Sequence, residues 1–379
     1  MKTTLSDGTP RAVGGFSLIE VMVAMVIGLV LVAGAMQVYI NSRATYTVNE
    51  TSARLQETAR YALSVMEPDI RMAGYWGVAK EANMVDGWQP QLPTVTLPVP
   101  TQITTECGFN YAVDLSRPVQ GSNNAFALGV APITNCNTLN NNPRQSSDTL
   151  TVRHASAVYT PPGANPRYHL CSNRGGGSLL AADQAAASCV VPNLLSDFKV
   201  TGYYVSNDSS ANAGGNGVPS LRYMDLQTGA VPGFTDVEVI QGVEDLQVQI
   251  GFEPNFTAAT SSAPRQHCGM ARYYVNPNGP MPAGATSAQA VSVRVWLLVR
   301  ADTAEGGFVD GRLYQYADRL AATGVTSDLA TAGSAGRAYR PSGNAQLAPF
   351  RRLLVSRTFQ LRNAEGTESY ANGVANPCP

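Results

Sequence analysis

The longest hydrophobic run of the chain lies near its N-terminus. Residues 21–42 carry no charge and are mostly apolar, and they are flanked by Glu20 and Arg43. As a helix with a rise of about 1.5 Å per residue, a run of this length extends about 33 Å, enough to cross the hydrocarbon core of a bilayer. No second run of this kind follows in the sequence. The pattern therefore predicts a single transmembrane helix.

The helical pattern continues past this run as an amphipathic stripe. Small or apolar residues recur at spacings of three and four, which indicates one buried face of a helix. They are Val48, Ser52, Leu55, Ala59, Ala62 and Met66. Pro68 is expected to end the helix, because proline lacks an N–H donor and clashes with the preceding turn. We therefore predict one helix over residues 16–67, with residues 16–42 in the membrane and residues 43–67 packed on a folded domain.

After Pro68 the pattern changes to short runs typical of β-strands. The predicted strands are residues 148–154, 198–206, 221–226, 237–252, 291–300 and 352–361. Residues 291–300 first alternate and then become wholly apolar, which indicates a strand that is covered on both faces toward its end. Stretches rich in Asn, Gly and Ser predict loops at residues 135–147 and 207–219.

Together these elements predict an α+β fold. A long N-terminal helix would pack on an antiparallel β-sheet domain with long loop insertions. The domain would comprise residues 68–379, and no internal repeat is visible in it. The pattern leaves open whether this domain is one unit or two.

A short hydrophilic leader precedes the apolar run. Residues 1–15 contain Lys2 and Arg11 against Asp7. Because basic residues stay on the cytoplasmic side of a membrane anchor, the N-terminus is expected in the cytoplasm and the large domain in the periplasm or outside the cell. The apolar run is longer than that of a secretory signal peptide, and no A-x-A cleavage site follows it. Removal of the whole segment is therefore not expected.

The balance of charge excludes several classes of protein. The chain of 379 residues has a formal net charge of -1, and only 14% of its residues are charged, against roughly 25% in an average soluble domain. Such a chain has no basic footprint for nucleic acid, so no nucleic-acid partner is expected. An apolar content of 44% is too high for a disordered chain.

Six cysteines lie in the domain that is predicted to be exported, where an oxidising compartment favours disulfides. They are Cys107, Cys136, Cys171, Cys189, Cys268 and Cys378. Six cysteines allow about fifteen pairings, and the sequence does not choose among them. One hypothesis pairs them in order along the chain, each with its nearest neighbour.

No pattern of residues points to a metal, a cofactor or catalysis. His169 with Cys171, and His267 with Cys268, come nearest to metal-ligand spacing, but neither belongs to a C-x₂-C pair or an H-E-x-x-H helix. The nucleophile motif G-x-S-x-G and the phosphate-binding motif G-x-x-x-x-G-K-[ST] do not occur. We therefore expect no metal, no cofactor and no enzymatic activity.

The junction between the leader and the helix carries the most specific motif. The sequence GFSLIE at residues 15–20 resembles the type IV prepilin signal, in which a Gly is followed by a Phe and, five residues into the mature chain, by a Glu. The resemblance implies that a membrane-bound prepilin peptidase cuts after Gly15 on the cytoplasmic side. It also implies that this enzyme N-methylates the new first residue, Phe16.

Glu20 is informative because a carboxylate in a membrane helix is costly, about 2.5–3.5 kcal/mol at the centre on insertion scales and less near an end. One interpretation places Glu20 at the level of the headgroups, where the dipole at the helix N-terminus favours an anion. A second pairs it with the free amine that cleavage would leave on Phe16 of another subunit, so that the ion pair sets the register of a filament. The resemblance implies the second role, in assembly.

The same helix carries a line of residues at helical spacing, Ala24, Gly28, Leu31 and Ala35. Small residues on such a line permit close approach of neighbouring helices. The line is therefore predicted to serve helix packing in an assembly, with plain lipid contact as the alternative.

Four later segments resemble PilW-type minor pilins, at residues 67–75, 243–251, 291–300 and 351–363. The resemblance implies a minor pilin that joins a complex with other minor pilins and the major pilin, primes growth of the filament and lies at or near its tip, with a tip adhesin attached. It also implies a single-pass protein of the inner membrane, with a periplasmic domain, that later enters the pilus. One departure is that no cysteine soon follows Gly74-Tyr75, so a family disulfide pattern is not carried over.

Two other functions stay open at this level. A minor pseudopilin of type II secretion shares the leader, Glu20 and the helix. Whether a knockout strain loses its pili or its protein secretion distinguishes a pilin from a pseudopilin. A tip-displayed adhesin or binding module would bind a surface or DNA through the domain after the helix, without other pilins.

Overall fold

The structure is a computed structural model of the chain. It describes residues 15–79, 85–86, 114–115, 117–126, 142–159, 168–180, 189, 193–209, 217–227, 233–253, 269–277, 289–317, 341 and 346–363. The chain divides into two compact units, Met1–Ala53 and Arg54–Pro379. The second unit contains both of the β-sheets described below.

One long helix, α1, spans Leu18–Met72. Within the described residues it is the one helix long and apolar enough to cross a membrane, and none of the residues in its most apolar window is buried. Val48 and Ser52 of the predicted stripe are half-buried. The other four members are buried in the second unit, together with two residues that the sequence pattern missed. The buried residues are Leu55, Ala59, Ala62, Leu63, Met66 and Ile70.

The predicted end of the helix at residue 67 is wrong, because α1 continues through Pro68 to Met72. Pro68 is exposed, and a proline in a helix interior costs about 3 kcal/mol. Ile70 and Ala73 continue the buried stripe, with exposed fractions of 0% and 1%, and their burial offsets that cost. The helix stops just before Gly74, whose φ of 76° is a left-handed conformation that favours glycine.

Twelve strands follow α1 in the described part of the chain. They are β1 (Val85–Asp86), β2 (Val119–Ser122), β3 (Thr149–Tyr159), β4 (His169–Asn173), β5 (Gly176–Leu180), β6 (Leu194–Ser206), β7 (Ser220–Gln227), β8 (Gly233–Gln241), β9 (Val243–Glu253), β10 (Tyr273–Val275), β11 (Gln289–Arg300) and β12 (Arg352–Gln360). They form an eight-stranded sheet in the order β1-β5-β4-β6-β3-β2, with β7 on β6 and β8 on β7, and a four-stranded sheet in the order β10-β9-β11-β12. Only β1 and β5 pair in parallel among these strands, so the predicted α+β fold with an antiparallel sheet is confirmed.

The single strand predicted over residues 237–252 is wrong, since this segment forms the two strands β8 and β9. Gly242 lies between them with a φ of 88°. A side-chain carbon at this position would lie 2.9 Å from the carbonyl oxygen of Arg300, which is closer than two nonbonded heavy atoms of this kind approach. The turn therefore needs a glycine, and it interrupts a run that is otherwise patterned as one strand.

The main hydrophobic core joins the buried stripe of α1 to side chains from both sheets. Val293, Val295 and Leu297 of β11 lie in this core. Leu298, the next residue, packs in a separate cluster with Tyr314 and Tyr316. The prediction that this strand is covered on both faces toward its end is therefore confirmed.

The two sheets are tied together at Asp148, just before β3. Its two carboxylate oxygens accept the backbone N–H groups of Val248, at 2.8 Å, and of Asn124, at 2.7 Å. The hydroxyl of Ser147 bonds both the N–H and the carbonyl oxygen of Leu246. Because Val248 and Leu246 belong to β9, these bonds join the sheets within one compact unit, which answers the question that the sequence pattern left open.

Candidate functional site

The N-terminal junction is exposed and lies outside the helix. Gly15, Phe16 and Ser17 precede α1 without regular structure, so the helix begins two residues later than predicted. Phe16 is 81% exposed, and a side-chain carbon added at Gly15 would meet nothing within 4 Å. Exposed, non-helical chain is the form that peptidases cut most readily. The peptide bond between Gly15 and Phe16 is therefore accessible.

Glu20 lies in the first turn of α1. The carbonyl oxygen of Ser17 accepts the backbone N–H of Glu20 at 3.0 Å and that of Val21 at 3.2 Å, which makes Ser17 the residue that begins the helix. The carboxylate of Glu20 is exposed at the end of the helix where the dipole favours an anion. Both interpretations of Glu20, at a headgroup and against the amine of another subunit, fit this position.

The predicted packing line lies in the exposed apolar part of α1. Ala24, Leu31 and Ala35 are exposed and Gly28 is half-buried. Apolar side chains exposed over several turns need lipid or another helix around them, because contact of apolar surface with water is unfavourable. The role of this line in helix packing stays a prediction.

A polar cluster fixes the last turns of α1 to the eight-stranded sheet. Tyr203 of β6 donates its hydroxyl to Oδ2 of Asp69 at 2.8 Å, and Nε2 of His154 in β3 lies 3.4 Å from Oδ1. Burial alone would raise the pKa of Asp69. The hydrogen bond and charge of His154, with smaller contributions from Tyr203 and Lys199, outweigh burial and hold that pKa below its ordinary value.

Acid is expected to destabilise the domain through Asp69. A carboxylate whose pKa is lowered by folding stabilises the fold above its unfolded pKa, about 3.9, and this contribution disappears as the pH falls through the folded pKa. Asp69→Asn should lower the free energy of unfolding by about 1–2 kcal/mol at neutral pH, because Tyr203 then donates to an uncharged oxygen. The measurement is the thermal unfolding midpoint of the full chain in detergent, at neutral pH and well below the unfolded pKa.

The acid-induced loss of stability should be smaller in Asp69→Asn than in the unchanged chain, since the variant has no carboxylate to protonate at this position. Tyr203→Phe is the matched control, because it removes the hydroxyl and keeps the titrating group. An equal loss of stability in acid for Asp69→Asn and the unchanged chain contradicts the role of Asp69.

The C-terminal end of α1 is capped by the chain that follows β12. The backbone N–H of Arg362 donates to the carbonyl oxygen of Arg71 at 3.2 Å, and the side-chain amide of Asn363 donates to the carbonyl oxygen of Met72 at 3.2 Å. These bonds satisfy carbonyls that a helix end leaves without partners inside the helix. Arg357 of β12 adds a salt bridge to Glu67 at 2.9 Å. Two of the segments with a family resemblance, residues 67–75 and 351–363, thus contact each other.

A buried ion pair ties β9 to β12. Nε of Arg352 lies 2.5 Å from Oε2 of Glu244, and Nη2 lies 3.2 Å from Oε1, with side chains that are 0% and 1% exposed. Nη1 of Arg352 donates to the carbonyls of Leu347 and Phe350. Burial alone would raise the pKa of Glu244, but the paired guanidinium outweighs burial and holds that pKa below its usual value.

The sequence pattern missed the buried charges next to this ion pair. Asp310 accepts the hydroxyl of Tyr314 at 2.9 Å, and Asp245 accepts that of Tyr316 at 2.5 Å. The first bond is internal to the segment after β11, and the second fastens that segment over the outer face of the four-stranded sheet. The available signal was an acidic pair, Glu244-Asp245, inside a strand pattern, because carboxylates are rarely buried without partners.

One disulfide joins Cys171 of β4 to Cys189. The nearest-neighbour hypothesis is confirmed for this pair. The other four cysteines, Cys107, Cys136, Cys268 and Cys378, lie outside the described residues, so their pairing stays a prediction.

The same disulfide removes Cys171 as a thiolate ligand for a metal. The neighbouring histidine, His169, is buried, and its Nδ1 lies 3.1 Å from Oδ1 of Asp197. His267, with Cys268, lies outside the described residues. The His169–Cys171 pair therefore contributes to the packing of β4 and does not form a metal site.

Comparison with known proteins gives two family matches. Residues 10–36 match the prokaryotic N-terminal methylation motif, and residues 202–363 match the family described as type IV pilus-assembly protein W, PilW. A solved structure of a type IV-like pilin from Thermus thermophilus is 14% identical over 57% of this chain and 80% of that chain, with a TM-score of 0.22. No curated protein sequence matches the chain.

The first match covers the accessible junction and Glu20, and it defines the chain as a membrane-anchored type IV pilin with an N-terminal methylation motif. Its large domain holds the second match, which includes the buried pair of Glu244 and Arg352. The chain is a type IV pilin whose large domain matches the PilW family over residues 202–363. It takes part in type IV pilus assembly and interacts with other pilins and the assembly machinery, in the structural and non-enzymatic role of its family.

Proposed function

We propose that this PilW-type pilin is a minor pilin of the complex that primes the filament and lies at or near its tip. The observation that carries the proposal is the combination of an exposed Gly15–Phe16 bond, an acid in the first helical turn and a PilW-matched domain. The large domain after the helix is built from two sheets, which suits a subunit used in few copies to start or end a filament.

Processing is the first step of the proposed role. Prepilin peptidase hydrolyses the peptide bond after Gly15, so that water leaves a carboxylate on Gly15 and a free amine on Phe16. The same enzyme then transfers a methyl group from its methyl donor to that amine. The helix stays in the inner membrane with its N-terminus toward the cytoplasm and the large domain in the periplasm, until the chain enters the pilus.

Assembly is the second step. The carboxylate of Glu20 pairs with the N-terminal amine of a neighbouring pilin, which is charged near neutral pH because its reference pKa is about 7.7–8.0. In the low dielectric of a helix bundle an unpaired Glu20 is penalised, so the pair favours one axial register. Ala24, Gly28, Leu31 and Ala35 pack against helices of the other minor pilins and the major pilin, and a tip adhesin binds the exposed domains.

Gly15→Val is expected to block processing, because the branched side chain places methyl groups next to the scissile bond. Nothing in the chain itself opposes the change, since Gly15 has open space around it. The measurement is the mobility of the membrane-bound chain on a gel, where the variant should run as the uncut form. Val21→Leu, farther into the apolar run, is the control and should be cut normally.

Deletion of the gene separates the pilus from the secretion alternative. Loss of surface pili with normal protein secretion is expected, because the PilW match supports the pilus. Normal piliation with lost secretion would overturn the proposal in favour of a pseudopilin.

A further inference from the structure

The four-stranded sheet ends in a long regular edge. β12 pairs with β11 from Gln360 back to Arg352 without a register shift, and it pairs with no other strand in the part of the chain that the structure describes. Edge strands in native proteins are ordinarily short, bulged or covered, because their unpaired backbone groups attract other strands. β8, of equal length, has a bulge in its pairing with β7, whereas β12 has none.

The hydrogen bonds at its two ends show which backbone groups of β12 are directed to the open side. The N–H of Leu361 donates to Val291, and the N–H of Ala301 donates to Arg351. In an antiparallel pair the residues that bond to the partner alternate along the strand, so the odd-numbered residues from 351 to 361 bond β11.

The even-numbered residues of β12 therefore direct their N–H and C=O groups away from the sheet. Ser356 and Thr358 are the central ones. Both are exposed, as is Arg357 between them. The centre of the edge is thus accessible as a template for another strand.

The side chains around this open centre are basic. Arg357 and Arg71 share the single carboxylate of Glu67, each at 2.9 Å, and they are 48% and 40% exposed. On the opposite face of the sheet, Nε of Arg294 lies 3.4 Å from the hydroxyl of Thr358. Three guanidinium groups and one carboxylate leave a net positive charge on both sides of the edge.

We propose that β12 binds an extended acidic segment of another protein of the pilus assembly as a fifth strand of this sheet. Main-chain hydrogen bonds to Ser356 and Thr358 provide affinity, and acidic side chains complement the arginines. A second copy of this chain is a poor occupant, because two-fold pairing about the open centre places Arg357 opposite itself, and like charges directly opposite destabilise a strand pair. The choice of partner rests on the proposed function, and the docking surface goes beyond it.

A photo-crosslinking amino acid at position 356 of the full chain, in piliated cells, tests the proposal. One product is expected, and mass spectrometry should place its crosslink in an extended acidic segment of another pilus component. Thr358→Pro removes an outward N–H and no backbone hydrogen bond to β11, so the fold tolerates it, while the yield of the product falls about tenfold. Thr358→Val keeps that N–H and should leave the yield unchanged.

Equal yields in the two Thr358 variants contradict strand addition, and a product made of two copies of this chain contradicts the acidic partner. Arg357→Gln leaves the backbone intact and should lower the yield several-fold, which keeps the test decisive if Thr358→Pro lowers the amount of chain. An unchanged yield in Arg357→Gln contradicts the acidic partner. The readout is a crosslinked peptide rather than piliation, so failure of the proposed function and failure of this inference are seen separately.

Discussion

A Glu20→Ala chain is expected to be cleaved and inserted normally and yet to fail in pilus assembly. The carboxylate lies in the first turn of α1 and is exposed, and the residues at the proposed cleavage site, Gly15 and Phe16, precede the helix. Removing the acid therefore leaves the substrate of the peptidase intact. It removes the group that would pair with the amine of a neighbouring subunit. It also removes the free-energy cost of an unpaired carboxylate, which disfavours the wrong axial registers between subunits.

The measurement is restoration of surface pili in a strain that lacks the chain. Glu57→Ala is the matched control, because Glu57 is an exposed glutamate of the same helix outside the apolar run, and it should restore pili as the unchanged chain does. Full piliation with Glu20→Ala would mean that Glu20 only sits at the headgroups, and the assembly role would be lost.

Arg352→Met is expected to cost the domain about 3–5 kcal/mol of stability, because it leaves the buried carboxylate of Glu244 without its partner. The neighbouring change Arg351→Met removes a guanidinium whose salt bridge to Glu305 is partly exposed, with side chains 24% and 31% accessible. Pairs of that kind contribute about 0–1 kcal/mol. Two adjacent arginines, Arg351 just before β12 and Arg352 at its start, are therefore expected to differ severalfold in effect.

The thermal unfolding midpoint of the full chain in detergent measures both arginine variants. Since about 1 kcal/mol shifts the midpoint of a domain of this size by about 2–4 °C, the two should be clearly resolved. The double variant Glu244→Met with Arg352→Met should regain most of the loss, because no buried charge is left alone. Equal midpoints for the two single variants contradict the structural role of the buried pair.

The long-range part of the fold is what the sequence could not predict. The buried helix face through Leu55, Ala59 and Met66 was predictable from the sequence, because a helical period repeats over many turns. The pairing of Glu244 with Arg352 was not, because the partners lie 108 residues apart and a charged residue in a strand has the same pattern whether it is paired inside or exposed.

Short strands and special turns were also not predicted from the sequence. β4 and β5 are five residues each, too short for a period of two to be distinguished from chance. Pro68 was expected to end the helix and Gly242 fell inside a predicted strand, and in both cases tertiary packing decided the outcome. The strand pattern continued through a glycine that turns, and the helix continued through a proline whose cost the buried Ile70 helps to offset.

The candidate site was predictable to the extent that it is local. The junction at Gly15 and Phe16, Glu20 and the apolar run are adjacent in sequence, so their spacing alone specified the motif. The surroundings of Asp69 and the open edge of β12 depend on strands that meet only in the folded domain. They became visible from hydrogen bonds and exposure, which no single-sequence pattern contains.

The most direct test of the account is the N-terminal peptide of the protein extracted from the membrane of piliated cells. Affinity capture followed by mass spectrometry should find Phe16 as the first residue, with a methyl group on its amine, together with other pilins in the same sample. A chain that keeps residues 1–15, or that begins at another residue, would contradict the central claim that this protein is a processed pilin.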